Sequence, residues 1–198
     1  MIVQLETPSI DMSGIASPDS KKKHPALPIA GMVQVFTNSS SIQDSQPERK
    51  FFTNVLAQAL RIAQQGNKVL VVQFLKGGIN QGCERPTRLG QNLDWLRCDI
   101  QRNLEQIEQT TAEASEISAI QELWRHTQDL TLQGGYSLLV LDELSLAMKL
   151  ELVPETSVLE FLNQRPAAVD IIFTGAAMPQ TILDVADQVT KIRRSHYV

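Results

Sequence analysis

Short apolar segments alternate with longer segments of helical periodicity along most of the chain, and this alternation restricts the fold more than any other feature. The strand candidates are 31–37, 69–74, 93–98, 136–143, 169–174 and 188–192. The helix candidates are 45–65, 103–133, 144–149, 154–164 and 179–186. Strands separated by helices form βαβ units with parallel strands. The sequence therefore predicts an α/β fold with a mainly parallel central sheet.

The chain divides into a short arm and one domain. Its 198 residues have the length of a single ordinary domain, long enough to close one sizeable core. Residues 1–28 have scattered Ser, Pro and Asp and the basic run Lys21-Lys22-Lys23, without any apolar period. We interpret 1–28 as a poorly ordered arm and 29–198 as the folded domain.

Charge and cysteine content exclude several classes of function. The net charge of −4, from 18 Lys+Arg against 22 Asp+Glu, offers no basic face for nucleic acid. Cys83 and Cys98 form no CxxC motif, which predicts two reduced thiols rather than a disulfide or a zinc site. No segment reaches the ~18 apolar residues of a membrane span. We expect a cytoplasmic protein without a membrane or nucleic-acid partner.

The segments that follow the strands should carry the function, because ligands of open parallel sheets bind beyond the carboxyl ends of the strands. A nucleotide-binding domain has G-x-x-x-x-G-K-[ST] after its first strand, where glycines let backbone N–H groups surround phosphate and lysine adds positive charge. Here this segment reads Asn38-Ser39-Ser40-Ser41-Ile42-Gln43-Asp44-Ser45-Gln46. It contains no glycine and no lysine, and Asp44 adds negative charge.

Four motifs carry a family resemblance. In chain order they are Val71-Val72-Gln73-Phe74-Leu75-Lys76-Gly77, Leu139-Val140-Leu141-Asp142-Glu143-Leu144, Phe173-Thr174-Gly175 and Leu183-Asp184-Val185-Ala186-Asp187-Gln188-Val189-Thr190. Together they resemble the P-loop type of ATP:corrinoid adenosyltransferase, whose members carry V-V-Q-F-x-K-G, V-x-D-E, and T-G-R followed by P-x-x-L-x-x-x-A-D. The resemblance implies a P-loop NTPase-like three-layer fold and a homodimer.

The resemblance also implies a site. In the family reaction, the cobalt of a reduced corrinoid attacks C5′ of ATP, and magnesium neutralises the triphosphate leaving group. ATP, Mg and a corrinoid are thus the expected ligands. Asp142 and Glu143 would lie near magnesium. The positions implied for nucleotide binding are Asn38, Ser39, Ser40, Ser41, Lys76, Thr174 and Gly175.

The sequence departs from the family at three places. The glycine-lysine loop is replaced, Ala176-Ala177 follows Thr174-Gly175 where the family has arginine, and no G-F-T-W-like segment occurs near 98–101. We therefore predict a degenerate, non-catalytic homologue with a binding or regulatory role and an unknown protein partner. The alternative is an active adenosyltransferase with an unorthodox phosphate-binding loop, in which Arg49 or Lys50 replaces the missing lysine.

Several candidates have a structural interpretation beside the functional one. Asp142 and Glu143 could cap the next helix, and Lys76 could belong to a solvated turn. Arg49 and Lys50 have the character of surface charges. The sequence favours core positions for Trp95 and Trp124, although either ring could stack on a ligand. We expect His126 and His196 to be exposed to solvent.

Overall fold

The computed structural model describes residues 30–38, 48–74, 81–102, 107 and 110–192, with only the backbone at residues 38, 48–51 and 192. The arm 1–28, the loop residues 39–47, Lys76 and the segment 193–198 lie outside the described residues. In the described part of the chain, no helix is long and apolar enough to cross a membrane.

A seven-stranded sheet forms the centre of the domain. Its strands are β1 Val33–Asn38, β2 Val69–Gln73, β3 Thr87–Leu89, β4 Leu93–Arg97, β5 Leu138–Asp142, β6 Asp170–Thr174 and β7 Gln188–Ile192. The strand order is β3-β4-β2-β5-β6-β1-β7. Every pair is parallel except β3 with β4, which is antiparallel. This confirms the mainly parallel sheet.

Helices cover both faces of the sheet. They are α1 Glu48–Gln64, α2 Ala114–Leu132, α3 Leu144–Lys149, α4 Glu155–Gln164 and α5 Gln180–Asp184. Alternate residues of a strand point to opposite faces. On one face, Val71 and Val140 pack in a cluster with Val55 and Ala59 of α1. On the other, Leu70, Leu139 and Leu141 belong to a cluster that includes residues of α2 to α5. The three-layer fold is therefore confirmed, and β2 and β5 are buried along their whole length.

Two parts of the chain differ from the sequence prediction. The helix predicted over 103–133 is wrong at 110–113, because α2 begins only at Ala114. Its start is fixed by the Glu116 carboxylate, which accepts the backbone N–H of Glu113 at 2.9 Å. The short strand β3 was not predicted. It has three residues and little apolar character, and it forms by pairing with β4, where Arg88 also forms an ion pair with Asp94.

Candidate functional site

The centre of the candidate site is a row of polar side chains across three neighbouring strands. Gln73 of β2 and Thr174 of β6 are both in register with Asp142 of β5. Gln73 Nε2 donates to Asp142 Oδ2 at 2.8 Å, and Thr174 Oγ1 donates to Asp142 Oδ1 at 2.5 Å. All three side chains are buried, with at most 4% exposed. Each oxygen of the Asp142 carboxylate therefore accepts a hydrogen bond that orients it and joins the strands.

Glu143 lies immediately after this row and has an unusual backbone. Its φ of 63° and ψ of 19° are left-handed, a conformation that non-glycine residues adopt at a cost and that clusters at functional sites. Its backbone N–H donates to Thr174 O at 2.9 Å, and only 5% of the residue is exposed. Glu143 holds the N-cap position of α3, but its side chain makes no capping hydrogen bond. The helix-cap interpretation of the acidic pair is therefore wrong for Glu143, and Asp142 binds Gln73 and Thr174.

The turn after β6 packs closely against the turn after β5. Gly175 has a φ of 146°, and a Cβ at this position would lie 2.4 Å from Ser145 Oγ and 3.5 Å from Glu143 Cα. Only glycine fits there. Among the described residues, Ser145 Oγ is buried and has no hydrogen-bond partner. After Gly175, Ala177 is again left-handed, with a φ of 50°. The two turns hold each other in place and carry no basic side chain from residue 142 to 145 or from 174 to 178.

The structure brings together four of the residues selected from the sequence: Asp142, Glu143, Thr174 and Gly175. Asn38 ends β1, and its backbone pairs with Ile192. Ser39, Ser40, Ser41 and Lys76 lie outside the described residues, so their role in nucleotide binding stays a prediction. Sequence reasoning did not assign a role to Gln73 or Ser145. Gln73 was detectable in principle, because a polar residue ends an otherwise apolar strand.

The acidic pair does not by itself fit a magnesium ion. Mg²⁺ requires near-octahedral oxygen coordination and is usually bound by one or two carboxylates together with substrate phosphates. In the described part of the chain no group of three His, Cys, Asp or Glu side chains comes together. Both oxygens of Asp142 already accept hydrogen bonds. A magnesium site here needs further oxygen ligands from phosphate or from residues of the first loop.

The chain that follows β4 turns into the core. Cys98 and Ile100 are at most 2% exposed and join the larger apolar cluster. Arg102 then binds Glu116 at the start of α2 through two hydrogen bonds, from Nε to Oε1 at 2.6 Å and from Nη2 to Oε2. The hydrogen bonds from Arg102 hold the pKa of Glu116 below its ordinary value of 4.5. Where the resemblance leads one to expect an aromatic segment, this chain has buried side chains and an ion pair.

Two tryptophans and two histidines remain among the residues considered from the sequence. Trp124 is a core residue: its ring packs edge-on against Phe161 at 5.3 Å, and Nε1 donates to Ser157 Oγ at 3.0 Å. The half-buried Trp95 has the Arg97 guanidinium 4.4 Å from its ring centroid. His126 is half-buried, so the prediction of an exposed side chain is wrong; it lies on α2 beside buried residues. His196 is outside the described residues.

The two cysteines, Cys83 and Cys98, do not form a disulfide. Cys83 is half-buried and Cys98 is fully buried. Burial, with the nearby carboxylates of Glu122 and Glu84, raises the pKa of Cys83 to about 11. A thiol with so high a pKa is almost entirely protonated at neutral pH and is a poor nucleophile. Cys83 is therefore not a candidate for covalent catalysis.

Comparison with known proteins decides the family. The model of the ATP:corrinoid adenosyltransferase family BtuR/CobO/CobP matches residues 52–198. The chain belongs to this family. The match begins at residue 52, after β1 and the first loop. The first loop is the part of this corrinoid adenosyltransferase homologue that departs most from the phosphate-binding motif, and it lies outside the matched residues.

Individual relatives agree with the family match. The corrinoid adenosyltransferase of Escherichia coli K12 is 28% identical over 141 residues, which cover 71% of this chain and 69% of that protein. Corrinoid adenosyltransferase CobA of Salmonella typhimurium LT2 is 29% identical over 141 residues, with the same coverage. The Pseudomonas aeruginosa enzyme is 28% identical over 150 residues, which cover 71% of this chain and 68% of its own length.

Proposed function

We propose that this chain is a non-catalytic member of the corrinoid adenosyltransferase family that has a binding or regulatory role. The observation that carries the proposal is the segment 38–46, which has neither glycine nor lysine where the family binds triphosphate. Without glycine, the backbone does not readily adopt the left-handed conformations that direct successive N–H groups at phosphate. Without lysine, no cation in that loop offsets the charge of a triphosphate.

The size of the catalytic loss follows from the chemistry of the leaving group. A departing triphosphate needs many charge-assisted hydrogen bonds, and removal of a single preorganised donor commonly lowers a rate by about 10²–10³. This chain lacks the loop glycines, the loop lysine and the arginine that would follow Gly175. Several donors are absent together, which supports loss of the reaction rather than a slower version of it.

The acidic strand end supports the same proposal. Asp142 and Glu143 are both buried. No basic residue occurs in the turn after β5, residues 142–145, or in the turn after β6, residues 174–178. Two carboxylates without a bound cation repel a polyanion. Asp142 also accepts hydrogen bonds from Gln73 and Thr174, which gives it a function in joining strands that needs no metal.

The alternative is an active enzyme in which Ser39, Ser40 and Ser41 donate hydroxyls to phosphate and Arg49 or Lys50 supplies the cation. One observation favours it. The helix α1 begins at Glu48, so Arg49 and Lys50 belong to its first turn, where backbone N–H groups attract anions. The two accounts predict different results in the same binding experiment.

The test is calorimetric titration of the purified protein with MgATP, together with an adenosylation assay on cob(I)alamin, and the Escherichia coli relative serves as the positive control. We expect no saturable heat and turnover at least ~10³-fold below the control. Replacement of residues 38–46 by a G-x-x-x-x-G-K-[ST] loop, combined with Ala176→Arg, should create MgATP binding. Micromolar MgATP affinity with turnover of cob(I)alamin by the unaltered chain would refute the proposal. Loss of that affinity in the double variant R49A/K50A would then establish the alternative.

Corrinoid binding is measured separately, so that loss of nucleotide binding alone is distinguished from loss of both ligands. Titration of a cob(II)alamin solution with the protein, followed by absorbance, distinguishes a chain that retains the corrinoid from one that has lost both ligands. The protein partner and the cytoplasmic location stay predictions from the sequence.

A further inference from the structure

A pocket lies at the amino end of the sheet, at the opposite end of the strands from the polar row. Its volume is about 280 Å³, and it is formed by the start of β1, the end of α4 and the residues that precede β7. The apolar side chains of Leu159, Leu162 and Val185 line it beside the charged Arg165 and Asp187. Small-molecule sites usually measure ~300–1,000 Å³, so this pocket has room for a few side chains rather than for a cofactor.

The backbone that enters β1 is fixed at this pocket. Gly31 N donates to Ala167 O at 2.5 Å, and Gly31 O accepts a hydrogen bond from Arg165 Nη2 at 3.1 Å. A Cβ on Gly31 would collide with Val169 O, so the chain passes here only as glycine. Ala30 is exposed and itself lines the pocket. The arm that precedes Ala30 therefore starts at the pocket.

Of the segments outside the described residues, the arm 1–29 alone joins the sheet at this end. The others come after the carboxyl end of β1, β2, β4 or β7, and they are 39–47, 75–80, 103–106, 108–109 and 193–198. Leu27 is three residues from Ala30 and so lies within ~11 Å of it even in a fully extended chain. The arm is thus the occupant that the chain itself brings to the pocket.

We propose that the segment Leu27-Pro28-Ile29 binds in this pocket of its own chain. Val185 is 49% exposed and Leu159 is half-buried among the described residues. The branched side chains of Leu27 and Ile29 remove this apolar surface from water, which is favourable. Pro28 fixes its own φ and restricts the residue before it, so the segment loses less conformational entropy when it binds.

Charge complementarity supports the same occupant. The exposed carboxylates of Asp170, Asp184 and Asp187 all come at this end of the sheet. Asp170 and Asp187 each accept a backbone N–H from the residues that enter β1, at 2.8 and 2.7 Å. Arg165, the basic residue of the lining, donates to backbone carbonyls. The run 21–23 brings three lysines close to these carboxylates. Exposed ion pairs contribute little singly, so they orient the arm more than they hold it.

The pocket and the candidate site lie at opposite ends of the strands, so this contact does not depend on whether the chain is catalytic. A contact of three residues opens much more readily than a buried sheet. The arm therefore remains the first part of the chain that a protease removes, and the contact determines how fast it is removed.

The first experiment measures the rate of tryptic cleavage after Lys21, Lys22 and Lys23 in the native full chain by mass spectrometry. Val185→Asp places a charge in the apolar wall of the pocket and should release the arm, so cleavage should become about tenfold faster. Leu132→Asp is the matched control, because Leu132 is 45% exposed on α2 and does not line the pocket. Its cleavage rate should equal that of the unaltered chain, and circular dichroism should show both variants folded.

The second experiment does not depend on the charge in the pocket. In the variant Leu27→Cys/Val185→Cys, oxidation should form a disulfide within one chain about tenfold faster than in Leu27→Cys/Leu132→Cys, because the contact raises the effective concentration of one thiol at the other. Peptide mapping distinguishes this bond from any bond to the native Cys83 or Cys98. Addition of K21E/K22E/K23E should slow formation of the bond several-fold.

Equal rates of disulfide formation for the two cysteine pairs would overturn the proposal, and so would equal cleavage of the unaltered chain and Val185→Asp. A disulfide that joins two chains instead of closing within one would also overturn it, because the pocket would then hold the arm of a second copy.

Discussion

Gly175 and Ser145 lie against each other where the two turns of the site meet. A Cβ at residue 175 would lie 2.4 Å from Ser145 Oγ, well inside contact distance, and the φ of 146° is unfavourable for any residue with a side chain. In the part of the chain that the structure describes, the buried Ser145 Oγ has no hydrogen-bond partner, a state that ordinarily costs about 1–3 kcal/mol. The two residues should therefore behave as an energetically coupled pair.

Substitutions at these two positions test the contact. We expect Gly175→Ala to lower the free energy of unfolding by about 1–3 kcal/mol from backbone strain, with an added loss from the collision. Ser145→Ala removes an unpaired buried hydroxyl and should be neutral or stabilising. The double variant G175A/S145A should be more stable than the sum of the single effects, because the colliding oxygen is gone. Urea denaturation measures all three, and strict additivity would contradict the described contact.

At the scale of elements, the start of α2 depends on an ion pair between distant parts of the chain. Glu116 accepts hydrogen bonds from Arg102 and from the backbone N–H of Glu113, and its side chain is 7% exposed. Arg102 also donates to Thr110 Oγ1 at 2.6 Å and to Thr111 O at 3.2 Å. One guanidinium thus joins the end of the β4 segment to the residues that precede α2. The helix begins where this network places it.

This network predicts a pH dependence. The pKa of Glu116 is lower in the folded than in the unfolded state. Its contribution to the free energy of unfolding is therefore present above about pH 4.5 and is lost as the pH falls through the pKa of the folded state. Glu116→Gln should therefore lower the melting temperature at neutral pH. The difference in melting temperature between this variant and the unaltered chain should become smaller at acidic pH. Asp129→Asn is the control, because Asp129 pairs with Arg125 on an exposed surface of α2. A pH-independent difference for Glu116→Gln would count against the ion pair.

At the scale of the molecule, the sheet is covered without help from a ligand. Helices on both faces bury β2 and β5 completely, and the two apolar clusters are built from side chains of the protein alone. Apolar burial is the main favourable term in folding. The fold should therefore be stable in the absence of nucleotide and corrinoid.

Thermal unfolding measures this directly. We expect one cooperative transition without any ligand and no change in its midpoint on addition of MgATP. A site of micromolar affinity would add about 4 kcal/mol at ~1,000-fold excess of ligand over the dissociation constant. Such a shift, or a chain that unfolds without cooperativity until nucleotide is present, would be the contrary result.

In limited proteolysis the arm 1–28 should be removed first, and prompt cleavage within 69–74 would contradict the predicted domain boundary.

The fold class, the order of most elements and the family motifs could be predicted from the sequence, because they depend on local patterns. The apolar run before Asp142 is a strand candidate in any context. The absence of glycine and lysine from residues 38–46 is a property of the sequence itself. Element boundaries were less predictable. The apolar spacing over 103–133 continues through 110–113, but α2 starts only at Ala114. Arg102 binds Glu116 in the first turn of this helix.

The contacts between side chains of the site could not be predicted, because they join residues that are far apart in the chain. Gln73 and Asp142 are 69 residues apart in the chain, and Thr174 is 32 residues beyond Asp142, yet the strand order β2-β5-β6 puts them in one hydrogen-bonded row. The strand β3 exists because β4 offers it an edge, and Ser145 meets Gly175 because two turns end at the same level of the sheet. Register and strand order arise from long-range pairing, which no local pattern encodes, so the candidate site could be assembled only from the folded chain.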